Sequence, residues 1–101
     1  MSDYQAFQAK ISTLPSYEMD EVERHKKVGD GWIVLRDLFE GSTQPLVVDV
    51  SKYIKKHPGG MAIMKPYLGT DCTNEFLVYH VEGNSKRYEL IMEYTIGVLR
   101  N

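Results

Sequence analysis

Residues 55–71 read KKHPGGMAIMKPYLGTD, the stretch on which the fold turns. His57, a titratable and metal-competent imidazole, is followed by Pro58, Gly59 and Gly60, then by methionine and aliphatic residues. As punctuation, a helix ends at His57 and Pro-Gly-Gly makes the turn. As chemistry, the same helix end carries a ligand. Which of the two holds depends on what the rest of the chain places around it.

With 101 residues the chain forms one domain with one modest core. Its 43% hydrophobic and 26% charged content is ordinary for a soluble globular protein. A net charge of −2 gives no reason to expect nucleic acid. The charge is uneven: residues 1–49 carry five Lys/Arg against nine Asp/Glu, and residues 50–101 carry seven against five. The single cysteine, Cys72, rules out an internal disulfide and lacks the C-x-x-C-H setting of covalent haem attachment. MSDYQAFQAK has no apolar run of the signal-peptide kind, and no apolar run approaches the ~20 residues of a membrane span. A soluble, cytoplasmic, monomeric chain is expected.

Residues 1–16 read as a polar N-terminal extension closed by Pro15, in which Tyr4, Phe7 and Ile11 keep helical spacing. YEMDEVERHKK reads as a short helix capped by Asp20, with cations in its last turn. GDGWIVLRD is a turn and a strand, FEGSTQP a loop, and LVVDV a second strand. Asp49 or Ser51 can cap a helix through KYIKK. A helix broken at Pro66, a second capped by Asp71, a third capped by Ser85 and a closing strand TIGVL complete the chain. The fold class is α+β, a small sheet with several short helices at one end.

Of the three histidines, His25 lies among charges in VERHKKVGD and reads as a solvated helix-end residue. His57 and His80 each end a predicted helix, are flanked by apolar or aromatic residues, and stand 23 positions apart. Taken alone, two such histidines are more often satisfied core or surface residues than ligands. Zinc wants three or four ligands at local spacing, which Asp71 and Cys72 do not supply. Nothing marks Cys72 as an activated nucleophile, and HPGG is not a phosphate loop. Haem fits better: it is a flat, mostly apolar disc needing one ligand per face and hydrophobic walls. Gly59 and Gly60 then remove β-carbons beside the macrocycle, Pro58 ends the ligand-bearing segment, and Met61, Ile63 and Met64 pack against it.

Four segments, in order, resemble the cytochrome b5 haem-binding domain from about Tyr17 to Leu99. They are EVERHKK with GWIVL, VVDVSKYIKKHPGG, LGTDCTNEF and YTIGVL. The resemblance implies a domain over 17–101 whose small mixed sheet carries two short helix pairs forming a haem crevice. It implies non-covalent haem b with His57 and His80 as axial ligands. The family's pocket positions fall on Leu35, Val50, Tyr53, Ile54, Pro58, Gly59, Ile63, Met64, Phe76, Tyr79, Leu90 and Tyr94.

Three departures stand out. The second histidine sits one position earlier than usual, four residues after Phe76, and the 81–84 loop is rebuilt. Ser85 and Lys86 are left as candidates for a haem propionate. The connection RDLFEGSTQP is longer than the family's turn. MAIMK carries no acid where typical members ring the haem edge with Glu and Asp, and Lys52, Lys55, Lys56 and Lys65 stand nearby. The resemblance implies electron transfer between a flavin-containing reductase and an acceptor enzyme, here through an acidic or apolar partner surface. The alternative is a haem domain of, or acting with, a larger oxidoreductase of the reductase or desaturase type. The related progesterone-receptor-like branch is not bis-histidine, so the His57 and His80 pair argues against it. The polar lead-in and the end just after the last strand favour a stand-alone chain.

Overall fold

The computed structural model describes residues 3–39, 44–56, 60–79 and 85–100. Helix α1 (Asp3–Ile11) leads into strand β1 (Ser16–Tyr17), helix α2 (Met19–Glu23) and strands β2 (Lys26–Lys27), β3 (Asp30–Leu35) and β4 (Leu46–Asp49). Helices α3 (Ser51–Lys56), α4 (Gly60–Met64), α5 (Thr73–Tyr79) and α6 (Ser85–Tyr94) follow, with a 3-10 turn at Lys65–Tyr67, and strand β5 (Thr95–Leu99) closes the chain. The sheet order is β1-β5-β4-β3-β2. Among the strands of the described residues, only the β1–β5 pair is parallel.

The β-branched runs WIVL and LVVD explain the central pair. Strands β3 and β4 run antiparallel, with Trp32 opposite Asp49 and Leu35 opposite Leu46. Alternation then sends side chains to two faces. Ile33, Leu35, Leu46, Val48 and Val98 enter a large core with Phe7, Val50, Ile54, Leu68, Cys72 and Ile91. Val34, Val47 and Leu99 enter a smaller one with Val22. Gly97 sits where β1 crosses closely: a β-carbon there would come within 2.5 Å of the Pro15 carbonyl and the Tyr17 ring.

Three expectations are corrected. Helix α2 is preceded by Glu18, which makes no side-chain cap, and Asp20 lies inside its first turn. The cations after Glu23 are not helical; Lys26 and Lys27 pair with Gly31 and Asp30 as a short edge strand. Nor is His25 simply solvated. It stacks on Trp32 at 3.6 Å between ring centroids, and its Nδ1 lies 2.7 Å from Asp30 Oδ1.

The N-terminal residues with helical spacing do form a helix, and Phe7 is buried from it. Tyr4 and Phe7 both meet the ring of Phe39, at 5.2 and 5.4 Å. Lys10 Nζ donates to the carbonyls of Met92 and Glu93 at 2.9 and 3.4 Å, covering orphan acceptors at the end of α6.

Candidate functional site

The first wall begins where β4 ends. Asp49 Oδ1 accepts hydrogen bonds from the Ser51 N–H at 3.0 Å and the Ser51 hydroxyl at 2.6 Å, which starts α3 at Ser51. Ser51 Oγ in turn accepts the Gly31 N–H at 2.9 Å, tying this helix start to β3. The Ile54 N–H donates to the Val50 carbonyl at 3.0 Å, and both side chains are buried. Helix α4 packs against α3 and passes at Pro66 into the 3-10 turn. Proline suits the first turn of such an element because its missing N–H has no partner to lose.

The second wall is launched from the other side of the same strand. Gly69, at φ +80, turns the chain so that its N–H donates to the Trp32 carbonyl at 2.6 Å. The Val34 N–H donates to Thr70 and the Cys72 N–H to Val34, at 3.0 and 3.2 Å, so residues 69–72 lie along β3. Asp71 then accepts from the Thr73 N–H at 3.1 Å, the Thr73 hydroxyl at 2.7 Å and the Arg36 Nε–H. Burial opposes ionisation of Asp71, but Thr73 and the Arg36 guanidinium together outweigh it and hold the carboxyl below the usual carboxylate range. The Phe76 N–H donates to the Cys72 carbonyl at 2.9 Å, continuing α5.

Seven of the twelve expected pocket positions share one cluster. Leu35, Val50 and Ile54 are buried in one cluster, and Tyr53, Met64, Phe76 and Tyr94 pack against it. Leu90 is half-buried. Ile63 is 49% exposed, the large hydrophobic side chain left open among the described residues. His57, Pro58, Gly59 and His80 lie outside the described residues, as do the side chains of Tyr79, Ser85 and Lys86. In the chain, His57 directly follows α3 and His80 directly follows α5.

Sequence reasoning did not place Leu68, Cys72 or Ile91 at the pocket, yet they share the cluster. The spacing of Cys72 and Phe76, one helical turn apart, was the available signal. Burial, with the charges of Glu75 and Asp71 adding to it, pushes the Cys72 thiol up to about 12. A thiol so held is neither nucleophile nor ready metal ligand. Among the described residues no group of three or more His, Cys, Asp and Glu could hold a metal ion.

The apolar cluster that joins Leu35, Ile54 and Phe76 fits a flat, mostly apolar cofactor. Comparison with known proteins points the same way. The profile of the Cytochrome b5-like Heme/Steroid binding domain matches residues 18–100. The inducible nitrate reductase [NADH] 2 of Glycine max is 33% identical over 88 residues, which is 87% of this chain and 9% of that protein. The acyl-lipid (8-3)-desaturase B of Dictyostelium discoideum is 36% identical over 86 residues, 85% of this chain and 16% of that protein. The chain thus spans only a small part of the length of either relative.

Two solved structures superpose on it. The cytochrome b5 of Ostreococcus tauri virus 2 has a TM-score of 0.65 and 27% identity, over 83% of this chain and 95% of that one. Cytochrome b558 of Ectothiorhodospira vacuolata, described as a prokaryotic homologue of cytochrome b5, has a TM-score of 0.67 and 27% identity. That match covers 86% of this chain and 100% of the other. No helix among the described residues is long and apolar enough to cross a membrane.

Proposed function

Because the chain belongs to the Cytochrome b5-like Heme/Steroid binding domain family, we propose that it is an electron carrier, taking an electron from a flavin-containing reductase and passing it to an acceptor enzyme. Its cofactor is haem b, held without a covalent bond. One observation supports the reading: Leu35, Val50, Tyr53, Ile54, Met64, Phe76 and Tyr94 belong to a single apolar cluster reached by two helices whose next residues in the chain are His57 and His80. When bound, haem would supply one-electron cycling between ferric and ferrous iron.

His57 and His80 are the proposed axial ligands. Leu35, Val50, Tyr53, Ile54, Ile63, Met64, Phe76, Tyr79, Leu90 and Tyr94 form the walls and exclude water from the ring, with Pro58 and Gly59 clearing the approach. Ser85 and Lys86 are the proposed propionate contacts. Each partner meets the chain at the crevice edge, through an acidic or an apolar surface.

The visible spectrum tests this. Purified protein reconstituted with haem gives a sharp Soret band and narrow α and β bands on reduction. His57→Ala and His80→Ala lose these bands, whereas His25→Ala keeps them, since His25 is engaged by Asp30 and Trp32. A six-coordinate low-spin spectrum surviving in His80→Ala would assign the second ligand elsewhere, with Met92 the first donor to examine.

A second reading, a haem module of or alongside a larger oxidoreductase, is favoured by the small share of the nitrate reductase and desaturase that the chain covers. The length of the open reading frame, and co-purification of a second redox subunit, separate the two.

A further inference from the structure

We propose that helix α1 and residues 36–39 form a brace from the start of α5 to the end of α6, and that Phe39 and Lys10 are its positioning residues for the cofactor. The proposal rests on the haem reading and concerns how long haem stays bound.

Helices α5 and α6 carry Phe76, Leu90 and Tyr94 of the expected pocket, and His80 lies in the chain between them. The brace runs through described residues from one helix to the other. At the α5 end, the Arg36 N–H donates to Thr73 Oγ1 at 2.8 Å, and the Arg36 guanidinium is paired with Asp71. Asp37 then turns the chain at φ +55, a left-handed conformation that aspartate tolerates better than most residues with a β-carbon. Leu38 and Phe39 follow and pack, half-buried, against the main core. The Phe39 ring stacks on Tyr4 at 5.2 Å and meets Phe7 at 5.4 Å. From the same helix as these two rings, Lys10 reaches the Met92 and Glu93 carbonyls in the last turn of α6.

That last turn is where a hold matters. The final carbonyls of a helix lack donors within it, and fraying starts there. In α6 the Ile91 carbonyl accepts from Thr95 Oγ1 at 2.6 Å, and those of Met92 and Glu93 accept from Lys10. Ile91 is buried in the main cluster and Tyr94 packs against it, so the turn held by Lys10 is one that closes the core. Helix α1 lies before residue 18, where the match to the family profile begins, so this half of the brace is added to the domain that the profile describes.

Lys10 is exposed and Phe39 half-buried, so neither anchors the core as Phe7 does. Their effect falls on local opening, which costs less than global unfolding and is the route by which a buried ligand leaves. A brace joining two helices raises the cost of parting them without entering the pocket.

Haem transfer from the loaded full chain to excess apomyoglobin, in neutral buffer without denaturant, reads the effect. Phe39→Ala is expected to speed haem loss about tenfold, as the loss of two ring contacts predicts. Lys10→Met is expected to speed it about threefold. Phe39→Tyr and Lys10→Arg keep the ring and the charge, and should stay within about twofold of the parent rate. Val47→Ala is the reference, since Val47 is fully buried in the smaller core and outside the brace. It should lower the urea midpoint yet leave haem loss within about twofold of the parent. An unchanged rate in Phe39→Ala overturns the proposal, as does a rise in Val47→Ala equal to that in Phe39→Ala. Should Phe39→Ala not fold, Lys10→Met against Lys10→Arg decides by the same criterion.

Amide hydrogen exchange of the purified full chain reads the brace independently of haem. Phe39→Ala is expected to raise exchange at the start of α5 and the end of α6 while β3 and β4 stay protected. Exchange unchanged at both helix ends overturns the brace. A parent chain that takes up no haem, yet shows this pattern in the variant, overturns the haem reading and leaves the brace standing.

Discussion

The Cys72 thiol is 5% exposed, and its pKa of about 12 stands against an ordinary 9.0. The folded chain therefore holds this proton more tightly than the unfolded one. Its contribution to stability is whole below about pH 9 and is lost as pH climbs toward 12. Urea midpoints measured across that interval should fall less steeply in Cys72→Ala than in the parent protein. At pH 8 a disulfide reagent should label native Cys72 at least about a hundredfold more slowly than the urea-unfolded chain. Asp71 has the opposite sign. Its lowered folded value makes its contribution present above the ordinary 3.8 and lost as pH falls through the folded value. Asp71→Asn should cost about 1 kcal/mol at pH 7, modest because the site is partly exposed, and the cost should shrink in acid. The two residues differ in how legible they were. A helix cap at Asp71 could be read from Asp-Cys-Thr alone, whereas the environment of His25 could not. Its charged neighbours in sequence suggested water, and the ring that claims it, Trp32, arrives only when β3 folds back.

At the scale of elements, helix α1 makes the sharpest prediction. Phe7 is 4% exposed between the main core and Phe39, so Phe7→Ala should lower the unfolding free energy by about 3 kcal/mol in urea titration. Removing the Lys10 ammonium from the end of α6 should cost less than about 1 kcal/mol, as expected of an exposed helix-terminal cation. The helical spacing of Tyr4, Phe7 and Ile11 carried this element; its partner did not show, because Phe39 lies in a loop with no periodicity of its own. Strands β3, β4 and β5 were legible as β-branched runs. Strands β1 and β2 were not, being two residues each and fixed by tertiary pairing rather than by propensity. Asp20 and Glu23 carried the pattern of a capping box, but the helix starts at Met19 and ends at Glu23, leaving no turn for that pattern to cap.

At the scale of the whole molecule, the acid-free stretch 51–67 includes the exposed Lys65, whose charge should act on the cofactor. A nearby cation favours the ferrous state, so Lys65→Glu should lower the reduction potential, read by spectroelectrochemistry. That stretch was visible in the sequence, since charges are counted without any tertiary partner. The facing of the two walls was not visible, because it depends on contacts that skip along the chain. Ser51 grips β3 through Gly31, and residues 69–72 grip it through Trp32 and Val34. Both sides of the crevice are thus measured from one strand, as two jaws are measured from one ruler. A disturbance that slides β3 carries both jaws with it and leaves their gap the same. One that loosens a single grip changes the gap. Substitutions at Ser51 or Gly69 should therefore show in how long haem is retained before they show in whether the chain folds.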